Sequence, residues 1–394
     1  MITELAEWAA GYRPTEADAR VARTALVDTV AVALAAEDDP IVGITAELPG
    51  PARWGAIGHV LDFDDVHLPS TSHVSVVCVT AALAAGGGER DYLVGAGVMA
   101  RLGAALGWEH YAAGWHATCT AGAPAAAVAA GSAMGLDAEG LTRAMALAVP
   151  GAGGVRRSFG TSGKSLQVGF AVEAGVRAAR LAAAGASADP GAVEQWFSLV
   201  RGSGTVDVAG GAVPAGLAVK LHPCCYALQR PIGAARELHA RGVRAADVDR
   251  LTVTTPAGAM APLLHHDPQT GLEGKFSMEY AVAATLLDAF PELRTFTDEA
   301  VRRPEARRLV ERTELELHDG GTDLLAGDVA ITASLVGGGR ETARLRIPPG
   351  HPDAPPSEAE LAAKVTACAG PERADDVMHL DWPGAADLLR SRFG

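Results

Sequence analysis

Apolar residues recur every three to four positions from Thr15 to Ala36, with Leu26, Val30 and Leu34 on one face, which predicts a long helix there. Thr15 and Asp18 stand at capping-box spacing at its start, and acidic residues with Pro40 end it. Residues 76 to 107 and 121 to 149 are rich in Ala and Gly with Leu, Val and Met between them. That texture suits helices packed so closely that small side chains form the contact. Leu141 to Val149 and Leu166 to Ala184 continue it, so roughly the first 215 residues are expected to be helical. The period then changes to two at Arg250 to Thr255 and at Val329 to Leu335. The second run reaches Gly337-Gly338-Gly339 and a further alternating run, Thr342 to Ile347, as a hairpin does. An α+β region is therefore expected over about 220 to 350. After a Pro-rich stretch, Ser357 and Glu360 form another capping box, and the last helices are expected to pack back on the first region.

Composition narrows the function classes. At 394 residues, 48% hydrophobic and 20% charged, the chain can bury a large core and is expected to form two domains. Lys plus Arg is 33 against 47 for Asp plus Glu, a formal charge of −14 that repels phosphate backbones and anionic lipids. Nucleic acid and membrane are not expected as partners. The N-terminus lacks a basic leader region, and the longest apolar stretch, Val76 to Ala85, is far short of a bilayer span. A soluble, cytoplasmic chain is expected. Cys78, Cys119, Cys224, Cys225 and Cys368 include no CxxC pair and read as reduced, buried thiols.

The stretch His59 to His73, HVLDFDDVHLPSTSH, concentrates aspartates and histidines. Asp62-Phe-Asp64 resembles the first motif of haloacid-dehalogenase-type phosphatases, but that chemistry needs an alternating strand and helix pattern that the helical first half lacks. Ser158 to Ser165 ends like a Walker A loop, with Ser158 where the motif wants Gly and no strand before it. A metal is conceivable at Asp62, Asp65, His67 and His73, although no other cluster has ligand spacing. Acid/base chemistry fits better. If 59 to 65 begins a helix, Asp62 and Asp65 share a face at i and i+3, one orienting a histidine. His116, in Gly114-Trp-His-Ala-Thr118-Cys-Thr120, adds a second candidate base beside hydroxyls. Lys164 and Lys220 are embedded in glycine and apolar sequence, and buried lysines in so acidic a chain ask for an anionic ligand.

Six segments in order, ALVDTVAVALA, GHVLDFDDVHLPSTSH, GWHATCT, GGVRRSFGTSGK, KLHPCCYA and TGLEGKFSMEYAVAATLL, resemble the MmgE/PrpD family, and the resemblance covers nearly the whole chain. It implies an α+β fold: a large all-α domain from residues 1–217 and 351–394, with a smaller α+β lid, 218–350, inserted between. It also implies a homodimer and an active site between the domains that uses no metal or organic cofactor. The implied substrate is a small di- or tricarboxylate, handled by α-proton chemistry as in 2-methylcitrate dehydratase, cis-aconitate decarboxylase or iminodisuccinate epimerase. Carried over by motif, His116 is the main acid/base, His73 is oriented by Asp62, and Tyr280 is a second proton donor or anchor. Lys164 and Lys220 grip carboxylates, with Arg156 and Thr118 as further substrate contacts. Asp64 and Asp65 are expected to cap or pair locally.

The chain departs from the family pattern at Gln167, where a histidine is common, at Leu228-Gln229, where Thr-His is common, and at Val66 and Val74. The stretch between Pro40 and Gly58 is also short. A dicarboxylate epimerase stays open beside the lyase because it needs the same residues, Gln167 and Gln229 keep open a carboxylate-binding chain without turnover, and a magnesium-dependent phosphatase ranks last.

Overall fold

In a computed structural model, which describes residues 1–321 and 324–394, the chain forms two hydrophobic cores. The first runs from Ile2 to Ala212 and is completed by Val365 to Phe393; the second runs from Ala218 to Ala343 and takes in Val66 and Phe159 from the first part of the chain. No helix among the described residues is long and apolar enough to cross a membrane.

The first core is helical because its contact positions are small. Gly169 on the Ser162–Ala183 helix lies so close to the Gly50–Val60 helix that an added Cβ would meet the Ala52 carbonyl oxygen at 2.2 Å. Gly55 faces Val172 and Gly169 across the same crossing. Gly175 approaches the Gly122–Ala133 helix equally closely, with a built Cβ 2.4 Å from that of Ala126. Thr15 and Asp18 form the predicted capping box of the Glu16–Ala35 helix, and Ser357 and Glu360 that of Glu358–Ala369. The latter helix docks through Lys364, whose buried ammonium lies 2.6 Å from Asp28 Oδ1 and donates to the Phe63 carbonyl at 2.8 Å. The C-terminal helices thereby hold the backbone between Asp62 and Asp64.

The second core is a sheet of four strands in the order β2-β1-β3-β4, with β1 Val248–Pro256, β2 Thr313–His318, β3 Val329–Leu335 and β4 Arg340–Leu345. β1 and β2 run parallel, with Val253 beside Leu315; β1/β3 and β3/β4 are antiparallel, with Val253 beside Ile331 and Ile331 beside Ala343. The helices Gln229–Ala240 and Met278–Asp288 cover one face of it. The pattern located β1, β3 and the β3–β4 hairpin but not β2, whose Thr-Glu-Leu-Glu-Leu-His sequence is half exposed at the sheet edge.

Candidate active site

The expected helix over residues 59 to 65 does not form. The Gly50–Val60 helix ends first, and Asp62 adopts a left-handed conformation (φ 51°), one that aspartate tolerates better than most side chains. This turn separates Asp62 from Asp65 and aims the Asp62 carboxylate inward. Val66 and Ala218 then exchange backbone hydrogen bonds, N–H to carbonyl, at 2.9 and 2.8 Å. That bridge brings Lys220, two residues further on, behind the turn.

Asp62 is the hub. Its Oδ1 accepts from Lys164 Nζ at 3.0 Å and from Lys220 Nζ at 2.9 Å, and Lys220 also donates to the Asp62 carbonyl at 2.8 Å. His59, one turn before Asp62, donates from Nδ1 to Asp64 Oδ2 at 2.7 Å, so its Nε2 accepts from Lys164 Nζ at 2.5 Å. The glycine-mediated crossing of the two helices makes this His59–Lys164 contact possible. His73 lies between the carboxylates, with Nδ1 3.2 Å from Asp64 Oδ2 and Nε2 3.5 Å from Asp62 Oδ1. Its backbone N–H donates to the Thr118 hydroxyl at 3.1 Å. Asp65 does pair locally: it accepts from the Ser75 amide and hydroxyl at the start of the Val74–Ala84 helix. Asp64 belongs to the histidine cluster instead. His73 thus lies against both carboxylates, nearer to Asp64 than to Asp62.

His116 comes from a second strand-like turn. Trp115 and Val155 form an isolated antiparallel bridge, the His116 N–H donates to Gly154 O at 3.0 Å, and Gly114 and Gly154 take φ of 103° and 112°. The ring meets Phe159 edge-on, centroids 4.9 Å apart. Its Nδ1 faces Gln167 Nε2 at 2.7 Å and Cys119 Sγ at 3.3 Å. Lys164 and Gln167, three residues apart, present this face of the Ser162–Ala183 helix together.

Electrostatics set the protonation states. Burial alone would raise the Asp62 carboxyl, but Lys164 and Lys220 overcome it and hold it well below the usual range. Asp64 is likewise held low against burial by His59 and His73. Burial would lower Lys220, yet Asp62 and Asp64 raise it above the ordinary lysine value. His73 is pushed down to about 4 by burial, and His116 falls well below 6.5 through burial and the charge of Lys164, so both imidazoles are neutral near pH 7.

Asp62, His73, His116 and Lys164 line a common cavity of about 30 Å³ walled by Phe159, Phe276, Tyr111 and Tyr226. Thr71 and Leu324 connect its lining to that of a neighbouring cleft of about 440 Å³. Two neutral imidazoles beside a carboxylate in so apolar a wall are chemically able to take up and return protons. His59, Asp62, Asp64 and His73 offer donor atoms within 4.8 Å of one another, as a metal site would. However, two ammonium groups already stand on Asp62, and both His59 nitrogens are engaged, so the donor set does not fit a divalent cation. A phosphatase nucleophile is also poorly served, since Asp62 follows a helix and not a strand. The Walker-like segment is a 3-10 turn, Arg156–Ser158, before a helix whose Lys164 points at Asp62.

Other predicted residues stand outside the cavity lining. Tyr280 is buried in the second core with its hydroxyl donating to the Thr295 carbonyl at 2.5 Å, because it lies on the sheet-facing helix. Arg156 stacks 4.6 Å over the Tyr111 ring and bonds the Ala112 and Ala261 carbonyls, which joins the two cores. Lys220 and Thr118 act on Asp62 and His73 respectively and not on the cavity. Sequence reasoning passed over His59, Tyr111 and Tyr226, and gave Asp64 only a local capping or pairing role. His59 and Asp64 lay in the motif already singled out. Tyr226 lies six residues after Lys220, and among the described residues its buried hydroxyl has no hydrogen-bond partner.

Residues 52–202 match the MmgE/PrpD N-terminal domain and residues 222–382 the MmgE/PrpD C-terminal domain. Two cis-aconitate decarboxylase sequences from Aspergillus terreus are each 28% identical over 251 residues, 55% of this chain and 51% of theirs. The chain spans about half the length of the curated relatives it matches.

Proposed function

Because the chain belongs to the MmgE/PrpD family, a family of dehydratase and decarboxylase type, we propose that it is a lyase acting on a small di- or tricarboxylate without a metal. The observation that carries this reading is the pair of neutral, buried imidazoles, His73 and His116, beside Lys164 in one cavity. A neutral imidazole accepts a proton from the carbon next to a carboxylate, and the electron pair left behind spreads onto that carboxylate. In dehydration the β-hydroxyl then leaves as water with a proton from the second imidazole, and the proton taken from carbon passes back to that imidazole to complete the cycle. In decarboxylation no proton leaves carbon first: the C–C pair stays on carbon as carbon dioxide departs, and an imidazole N–H protonates that carbon and is itself reprotonated from solvent. Lys164 supplies positive charge to the developing enediolate, and the aromatic wall lowers the local dielectric so that this charge counts for more. Lys220 and Asp64 keep Asp62 and His73 in place. The Tyr226 hydroxyl is a substrate contact.

The test is proton NMR of the protein with chelator in D₂O, against cis-aconitate, 2-methylcitrate, citrate and iminodisuccinate. Deuterium exchange with a new olefinic or decarboxylated product supports the lyase, and exchange with inversion alone supports the epimerase. Binding with no exchange from any of these acids would sink the catalytic reading.

A further inference from the structure

The geometry points to Gln167 as a positioning residue that fixes the tautomer of His116, so that the resting enzyme presents an acid at this position and leaves the base role to His73. This rests on the lyase reading for its chemical meaning, though not for its geometry. The Val155 N–H donates to Gln167 Oε1 at 2.9 Å, and Gln167 Nε2 donates to the Val155 carbonyl at 3.3 Å. One residue's backbone donor and acceptor therefore read both ends of the amide. Turning the amide over would set N–H against N–H and oxygen against oxygen. The Trp115–Val155 bridge holds that backbone in place. The end of the amide facing His116 Nδ1 at 2.7 Å is then an NH₂, and the Cys119 thiol, 3.3 Å away, is a second donor on the same atom.

Nδ1 must accept, and a neutral imidazole that accepts at Nδ1 carries its proton on Nε2. Nε2 makes no hydrogen bond to the described residues, and the ring lines the cavity, so this N–H is offered to whatever occupies it. The opposite case sits beside it. His59 donates from Nδ1 to Asp64 and is locked with its lone pair on Nε2, against Lys164. A side chain that can only donate, and one that can only accept, thus select opposite tautomers 5.9 Å apart. His116 begins the reaction as the proton donor: to the departing hydroxyl in a dehydration, or to the carbon that loses carbon dioxide in a decarboxylation. His116 Nε2 gives up its proton, and the imidazolate left behind is held by the Gln167 N–H, the Cys119 thiol and the charge of Lys164. The proton that His73 took from carbon, or one from solvent in a decarboxylation, restores the Nε2–H before the next turnover.

The experiment is long-range ¹H–¹⁵N correlation NMR on histidine-labelled protein, with the His116 signals assigned by their loss in His116→Gln. The wild type is expected to show the Nε2-protonated pattern from pH 6 to 9. In Gln167→Glu a carboxylate replaces the amide donor, so His116 is expected to become Nδ1-protonated with its lone pair on Nε2. With the Nε2–H lost as neutral donor, kcat should fall by roughly 10²-fold or more with little change in KM. A wild type protonated on Nδ1 overturns the proposal, as does a Gln167→Glu variant that keeps the Nε2–H pattern. If that variant does not fold, the wild-type spectrum decides alone. The spectrum needs no turnover, so an Nε2–H wild type that converts no carboxylate would defeat the lyase reading and not this one.

Discussion

Lys220 Nζ lies 2.9 Å from Asp62 Oδ1 and 2.8 Å from the carbonyl of the same residue, so one buried ammonium holds both the side chain and the strained backbone of Asp62. Both side chains are almost completely removed from solvent. Removing one partner of such a pair strands the other as an uncompensated charge, which costs about 3–5 kcal/mol in other proteins. Lys220→Met should therefore lower unfolding stability by that order in urea denaturation. It should also depress kcat at least as much as it raises KM. A fully stable variant with only a raised KM would return Lys220 to the carboxylate-gripping role that its motif implies.

Replacing an imidazole separates chemistry from folding. His116→Gln keeps the amide geometry at Nε2 but cannot exchange a proton, and general acid–base contributions run to roughly 10²–10⁴-fold. kcat should drop by that order with circular dichroism unchanged, and His73→Gln should behave alike. Since burial and the neighbouring lysines push His73 down to about 4, the acid limb of the pH–rate profile should lie well below the 6.5 of an ordinary histidine. An acid limb at 6.5 would show that His73 is not the group that must be neutral.

How much of this was legible in the sequence depends on the distance over which each feature is decided. Helix starts are local: the Thr15/Asp18 and Ser357/Glu360 boxes stand as spaced. The β3–β4 hairpin is local too, with its glycines between alternating runs. The edge strand β2 was missed because its pairing with β1 crosses some sixty residues and leaves its leucines half exposed. Within the site, residue types were readable and orientations were not. Asp62 turned inward because the helix stopped at Val60, and Asp64 joined His59 only through that turn. Gln167 was visible as a departure from the family pattern, but its meaning waited on the Val155 backbone, brought alongside by the bridge to Trp115.

Stability should fall as pH drops from about 6.5 toward 4. Burial pushes His67, His73 and His222 down to about 4, and His59 and His116 are lowered as well. In that window the unfolded chain binds protons that the folded chain refuses, so the folded state loses about 1.4 kcal/mol per pH unit for each proton in excess. Asp65, raised to about 7 by burial, and Asp28, also raised, work in the opposite sense, since they keep protons that unfolded carboxyls release above about 4. The histidines outnumber them. Thermal unfolding midpoints at pH 7.5, 6 and 5 should therefore decline in that order; a midpoint that rises on acidification would mean that the aspartates dominate.

Two buried tyrosines differ in what their hydroxyls meet. Tyr280, which its motif places in the site, spends its hydroxyl on the Thr295 carbonyl inside the second core. Tyr226 is one of the residues lining the cavity, and its hydroxyl is buried and unpartnered among the described residues. A satisfied buried hydrogen bond contributes about 0.5–1.5 kcal/mol, while an unpartnered hydroxyl costs the free protein its desolvation and returns it only when something accepts from it. Tyr280→Phe should accordingly destabilise by about 1 kcal/mol and leave kcat/KM within a factor of two or three. Tyr226→Phe should leave unfolding stability unchanged or slightly raised and lower kcat/KM by about tenfold, the worth of one hydrogen bond to a charged substrate. Urea denaturation and steady-state kinetics on the two variants decide it: a large kinetic effect at Tyr280 with none at Tyr226 would put the motif's tyrosine back in the site.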